Sequence, residues 1–188
     1  MTGRAEAMRR TREQILDAAL EMFGSSYFDE VTLADVAAAA SVSQQTVVNH
    51  FGSKGQLYLT GVRERFAPAI AAERARARPG DVGSIVDVVV ADYEERGDAL
   101  VRGSVLAGRF PELAETFAGG RAAHRAWVAT VFAPQLRQRR GRRRERTTTL
   151  LATVLDVSVW KQLRRDDGLD VTATRDHLRR LVEAVLAT

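Results

Sequence analysis

The sequence predicts an all-α protein, on three observations. The 188 residues contain only four prolines. Apolar residues recur at three- and four-residue spacing through most of the chain. The one β-like stretch, Val86 to Val90, fits a helix face equally well once Ile85, Val89 and Tyr93 are taken together. Hydrophobic residues make up 45% and charged residues 28%, a globular balance that argues against general disorder.

The elements follow in order. Ile15, Ala18, Ala19, Met22 and Phe23 form one apolar stripe, which predicts a first helix from about Met8 to Phe23, ended by Gly24 and two serines. Thr32 stands before Leu33-Ala34-Asp35, a threonine cap with an acid three residues on. The second helix, Leu33 to Ala40, puts Leu33, Val36, Ala37 and Ala40 on one side. Ser41-Val42 makes a tight break, Ser43 caps a third helix from Gln44 to His50, and Phe51-Gly52 ends it. Ser53 caps a fourth that reaches about Arg76, with Pro68 expected to kink or end it by removing a bond to the Glu64 carbonyl.

Pro79-Gly80-Asp81 punctuates the chain and sets the expected domain boundary. Residues 1–53 are read as one domain, 54–78 as a linking helix and 79–188 as a second helical domain. Its expected helices are Val82–Glu95, Asp98–Gly108, Pro111–Gln138 (split or bent at Gly119-Gly120), Arg146–Arg165 and Val171–Ala187, with Asp170 capping the last after Gly168.

Several function classes are disfavoured. Cysteine is absent, which removes disulfides, iron–sulfur clusters and cysteine nucleophiles. His50, His124 and His177 form no i, i+4 pair, so no metal site is expected. Gly52-Ser53-Lys54-Gly55 lacks the full phosphate-loop spacing, and Gly103-Ser104 lacks the nucleophile-elbow pattern. No enzyme activity and no cofactor are expected. There is no run of about 20 apolar residues, and Met1 to Arg12 is polar and basic with no apolar stretch behind it. A cytoplasmic, non-membrane protein is the simplest expectation.

Charge and motif point elsewhere. The net charge is +4, and Lys54 and Lys161 are the only lysines among 28 basic residues, leaving 26 arginines. Arginine forks suit phosphate, although a genome-wide bias toward arginine gives the same composition. Two short helices joined by a tight turn form a helix-turn-helix pattern. The second is too polar to be simply core: Gln44, Gln45, Thr46 and Asn49 can all reach base edges or phosphates. Thr32 and Ser53-Lys54 stand at helix N-termini, where free N–H groups favour phosphate. The plainer alternative is a polar surface helix of an all-α bundle.

Residues Thr11 to Leu57 resemble the DNA-binding head of the TetR family of bacterial transcriptional regulators. The resemblance lies in Ile15-Leu16-Asp17-Ala18-Ala19, Phe23, Val31 through Ala37, Val42-Ser43, Thr46-Val47 and Asn49-His50-Phe51-Gly52-Ser53-Lys54. It implies DNA contacts from Thr32, Ser43, Gln44, Gln45, Thr46, Asn49, His50 and Lys54. It also implies a homodimer formed through the last two long helices, on a palindromic double-stranded operator, with repression as the usual sign and release by a small-molecule effector of the C-terminal ligand-binding and dimerisation domain. Leu150, Leu151, Val154, Leu155, Ser158 and Gln162 fit one dimer face, and Leu178, Leu181, Val182, Val185 and Leu186 the other. Such a regulator would associate with the nucleoid when bound. Three positions depart from the pattern: Gln45 replaces a small residue or proline, Val48 a tyrosine that touches phosphate, and Ser41 a frequent glycine. The competing function is a helical protein-interaction module without sequence-specific DNA binding.

Pockets are mostly apolar with a few polar groups, so Tyr93, Phe110, Phe117, His124, Trp127, Phe132 and Trp160 are the ligand-binding candidates, although aromatics on helices are more often plain core. His124 and Trp127 share a helix face. Gly61 and Pro68 are expected flex points between the domains. Arg137 to Arg146 carries seven arginines against one glutamate and is expected to be an exposed loop. Arg4, Arg9, Arg10 and Arg12 form a basic N-terminal arm suited to phosphate or the minor groove.

Overall fold

The computed structural model describes residues 2–108 and 110–188, and every regular element among them is helical. In chain order these are α1 (Thr2–Ser25), α2 (Leu33–Ala39), α3 (Gln44–Phe51), α4 (Lys54–Gly61), α5 (Ala67–Arg74), α6 (Val82–Leu106), α7 (Pro111–Val131), α8 (Ala133–Leu136), α9 (Gly141–Val154), α10 (Val157–Lys161) and α11 (Val171–Ala187). Two π-helical turns, Val62–Phe66 and Gln162–Asp166, continue α4 and α10. No helix is long and apolar enough to cross a membrane.

The caps form as the sequence dictates. Thr32 Oγ1 accepts from the Asp35 N–H at 3.1 Å while the Asp35 carboxylate accepts from the Thr32 N–H at 3.0 Å, a complete capping box. The Thr32 hydroxyl, which donates to Asp35 Oδ2 at 2.6 Å, and then the Thr32 N–H hold the Asp35 carboxyl below its ordinary pKa. Ser43, Ser53 and Asp170 cap α3, α4 and α11, and Asp156 caps α10 through the Ser158 N–H.

Several boundaries move, each for a local reason. Helix α1 starts well before Met8, because Arg9 pairs with Glu6 and Glu13 on adjacent turns. Helix α6 is one element where two were expected, since Gly97 serves close packing rather than a break (below). Helix α7 runs through Gly119-Gly120 and stops at Val131, short of Gln138, with Pro134 in the first turn of α8. Helix α9 begins at Gly141 (φ +50°), so the arginine run enters a helix instead of lying wholly in a loop. The expected helix to Arg165 breaks at Leu155-Asp156, where Asp156 starts α10. The π turn at Val62–Phe66 closes with Ala67 N–H on the Val62 carbonyl, immediately before Pro68. The widened turn takes up a ring that a regular helix would have had to kink around.

The chain divides into two compact units, one comprising Met1–Ala69 with Val105–Ala114, the other Ile70–Ser104 with Glu115–Thr188. In the first, Ile15, Leu16, Val36, Val47 and Leu57 are fully buried between α1, α2, α3 and α4. Phe23, Phe28, Tyr58 and Phe110 form an aromatic cluster with centroids 5.0–5.6 Å apart, so Phe110, a ligand candidate, packs with the N-terminal helices of the first unit. In the second unit, Ile85, Val89 and Tyr93 of α6 meet Val128, Phe132 and Leu136, together with Leu151, Leu155, Trp160, Leu178 and Val182. Four residues of the expected dimer faces, Leu151, Leu155, Leu178 and Val182, thus belong to this core, whereas Leu150 and Leu181 are 37% and 40% exposed.

Candidate nucleic-acid interface

Helices α2 and α3 pack through Val36, Ala37 and Val47. Alanines on α2 let the two backbones come close, and the turn between them is fixed by backbone bonds from Ser41 N–H to Ala38 O and from Val42 N–H to Ala37 O. Ser41 takes φ +55°. That is the left-handed conformation glycine adopts freely, so serine here costs about 1–2 kcal/mol.

Helix α3 buries only Val47 and Phe51. Gln44, Gln45 and Asn49 are exposed, while Thr46 and His50 are half-buried. The Gln45 amide N–H donates to Asn49 Oδ1 at 2.9 Å, and the Ser43 and Thr46 hydroxyls lie 2.8 Å apart. The structure thus brings Ser43, Gln44, Gln45, Thr46 and Asn49 together on one short helix, with Thr32 exposed at the N-terminus of α2.

Lys54 is placed differently. Its ammonium donates to the carbonyls of Phe28 at 2.8 Å and Val31 at 2.9 Å, and lies 4.3 Å from the Phe28 ring centroid. It ties the loop before α2 to the start of α4. The basic N-terminal arm is helical: Arg9 is paired within α1, and Arg12 forms a two-bond fork on Glu64 at 2.8 and 2.6 Å. Arg4 and Arg10 stay exposed.

The ligand candidates of the second unit separate into two groups. Trp160 is fully buried, its indole N–H on Glu94 at 2.8 Å, and Phe132 is likewise core. Phe117 is half-buried on α7. Tyr93, His124 and Trp127 instead converge on Arg74, a residue with no feature in the sequence to single it out. Arg74 is 8% exposed; its guanidinium donates to His124 Nδ1 at 2.9 Å and to Tyr93 Oη at 3.2 Å, and lies 4.3 Å from the Trp127 ring centroid. It ion-pairs at 3.5 Å with fully buried Asp92, which also accepts from Arg96 at 2.9 Å. The Asp92–Arg96 spacing of four is an acid–base pair legible on a helix.

The hydrogen bonds settle the His124 tautomer. Guanidinium has no acceptor, so Nδ1 accepts, and the Nε2–H donates to the Ala152 carbonyl at 3.0 Å. Burial, then the Arg74 charge, lowers the His124 pKa and keeps the ring neutral. Burial pushes the Tyr93 hydroxyl up to about 12, and pushes the Asp92 carboxyl up against the opposing pull of Arg74 and Arg96. Beside His124 lies an open groove of about 360 Å³ between α7, α9 and α10, lined also by Arg121, Arg125, Thr149, Thr153 and Asp156. Among the described residues no cluster of three His, Asp or Glu could hold a metal ion.

Comparison with known proteins agrees with the geometry. Residues 15–60 match the family described as bacterial regulatory proteins, tetR family. The chain is 33% identical over 79 residues to the HTH-type transcriptional regulator TcmR of Streptomyces glaucescens, covering 40% of this chain and 35% of the relative. It is 32% identical over 103 residues to the HTH-type transcriptional regulator BetI of Rhizobium meliloti (strain 1021), covering 53% and 44%. The matches therefore span less than half the length of these curated relatives. A transcriptional regulator from Rhodococcus sp. Rha1 superposes with a TM-score of 0.74 at 18% identity, over 94% of this chain and 96% of that one, and shares the all-α fold.

Proposed function

We propose that this chain, whose residues 15–60 match the tetR family of bacterial regulatory proteins, is a DNA-binding transcriptional regulator. The observation that carries the reading is the exposed amide pair on α3. With the Gln45 N–H engaged by Asn49 Oδ1, the Gln45 carbonyl oxygen and the Asn49 amide N–H remain free to face outward. An acceptor beside a donor is the complement of adenine N6–H and N7 in the major groove. Gln44, Ser43, Thr46, His50 and Thr32 flank this pair as phosphate and base contacts, while Lys54 contributes through the loop it holds.

The finer features are part of the same proposal. The regulator is a homodimer, joined through α9 to α11, where Leu150 and Leu181 remain at the surface. A two-fold axis places two α3 helices on half-sites about 34–36 Å apart, one turn of the duplex. It acts as a repressor in the cytoplasm, on a palindromic operator, and a small molecule bound within residues 79–188 releases it. The relatives named above are regulators rather than enzymes, in keeping with a binding function.

The test is selection of bound genomic fragments by the purified protein, followed by footprinting across a salt series. The expected result is a protected palindrome whose affinity falls steeply with salt, by about 0.9 in log–log slope for each phosphate neutralised. Gln45→Ala should relax the preferred base at one position of each half-site by about 1–3 kcal/mol. Absence of sequence-selective binding at moderate salt would favour a helical protein-interaction module.

A further inference from the structure

The groove beside His124 has a distinct charge pattern. Arg121 and Arg125 stand one turn apart on α7, where like charges repel. Arg121 has no acidic partner among the described residues, and Arg125 is held only by the Thr149 hydroxyl, at 2.7 Å. The Thr149 and Thr153 hydroxyls donate to carbonyls of their own helix, so they can only accept from within the groove. Asp156 supplies one negative charge, and its Oδ1 is already engaged by the Ser158 N–H and hydroxyl. With His124 neutral, the lining carries a net charge of +1. The complement is a monoanion gripped by two guanidinium forks.

His124 is the lining residue that also touches Arg74. Its ring separates the groove from the buried Arg74–Asp92–Arg96 cluster. The charged groups around it are Arg74 at the end of α5, Asp92 and Arg96 on α6, Arg121 and Arg125 on its own helix, and Asp156 ahead of α10. The Trp127 indole N–H also donates to the Arg74 carbonyl, at 3.2 Å, so Arg74 is where the last turn of α5 is fastened to α6 and α7.

We propose that the groove binds a small organic monocarboxylate through Arg121 and Arg125, and that His124 reports its arrival to Arg74. The carboxylate neutralises the local positive charge and favours protonation of His124, with the proton taken from solvent. An imidazolium carries hydrogens on both nitrogens, so Nδ1 ceases to accept from Arg74. The hydrogen bond is replaced by a contact between two cations, and the end of α5 loses one fastening. As a release signal for DNA this rests on the regulator reading above; as a binding site it does not.

The experiment uses the full chain at pH 7, with benzoate as the probe and neutral benzamide as its control, by calorimetry in two buffers of different ionisation heat. The expected result is saturable binding of benzoate with proton uptake, and no binding of benzamide. Arg121→Gln with Arg125→Gln should weaken benzoate at least tenfold. His124→Gln should bind benzoate without taking up a proton. Equal binding of both probes, no benzoate binding, or indifference to the arginine substitutions would overturn the carboxylate site. Binding without proton uptake by the unaltered chain would overturn the role of His124. These readouts need no DNA, so they stand apart from any failure to find an operator. Where an operator is found, benzoate should weaken its binding by the unaltered chain and not by His124→Gln.

Discussion

Gly97 lies edge-on to Trp160 so closely that a Cβ on residue 97 would stand 2.4 Å from the indole Cζ3. Glycine in mid-helix ordinarily costs about 1 kcal/mol against alanine. Here the missing side chain is what lets α6 approach a fully buried tryptophan whose N–H must still reach Glu94. Gly97→Ala is therefore expected to destabilise the protein by about 1–3 kcal/mol despite its better helix propensity. Urea unfolding followed by Trp fluorescence checks this, and a neutral or stabilising result would contradict it.

Lys54 offers a sharper separation of roles. Lys54→Met removes two charge-assisted bonds to the Phe28 and Val31 carbonyls, so stability should fall by about 2 kcal/mol. The salt slope of DNA binding by the folded variant should stay unchanged. A direct phosphate contact would lower that slope by about 0.9.

Asp92 stands between two guanidiniums with no exposed surface. Asp92→Asn keeps the shape but leaves the buried Arg74 guanidinium without a carboxylate, while Arg96 keeps its pair with Glu95. The expected loss is about 3 kcal/mol in chemical denaturation at pH 7.

His124 gives stability a pH dependence of known sign. Its folded pKa is lowered, chiefly by burial and then by Arg74, so between the folded and unfolded values the unfolded chain binds more protons. The contribution is complete above the unfolded value of about 6.5 and is lost as pH falls through the lowered folded value. His124→Gln, whose amide can still accept from Arg74, should show a shallower loss of stability from pH 7 to pH 5.5 than the unaltered chain. Identical pH slopes would mean that the ring is not held neutral.

Much of the first unit is legible in the sequence because its signals are local. A threonine followed by an acid at the third place, or a serine before Gln44, fixes a helix start within four residues. Ser41 stands where the TetR pattern often has glycine, and it takes φ +55°. The second unit is less legible because its decisive contacts join distant residues. Nothing near Gly97 in sequence announces Trp160, and nothing near Arg74 announces His124, fifty residues on. The aromatics Tyr93, His124 and Trp127 are conspicuous as types, but the arginine that gathers them is one among 26.

Helix α3 separates two demands that often conflict. Its place in the fold rests on Val47, Phe51, the Ser43 cap and the left-handed Gly52, whereas Gln44, Gln45 and Asn49 add nothing to the core. Mutational drift at those three surface positions is therefore nearly free of folding cost. A lineage, or a library built on this scaffold, can change what the helix reads while the helix itself stays where it is.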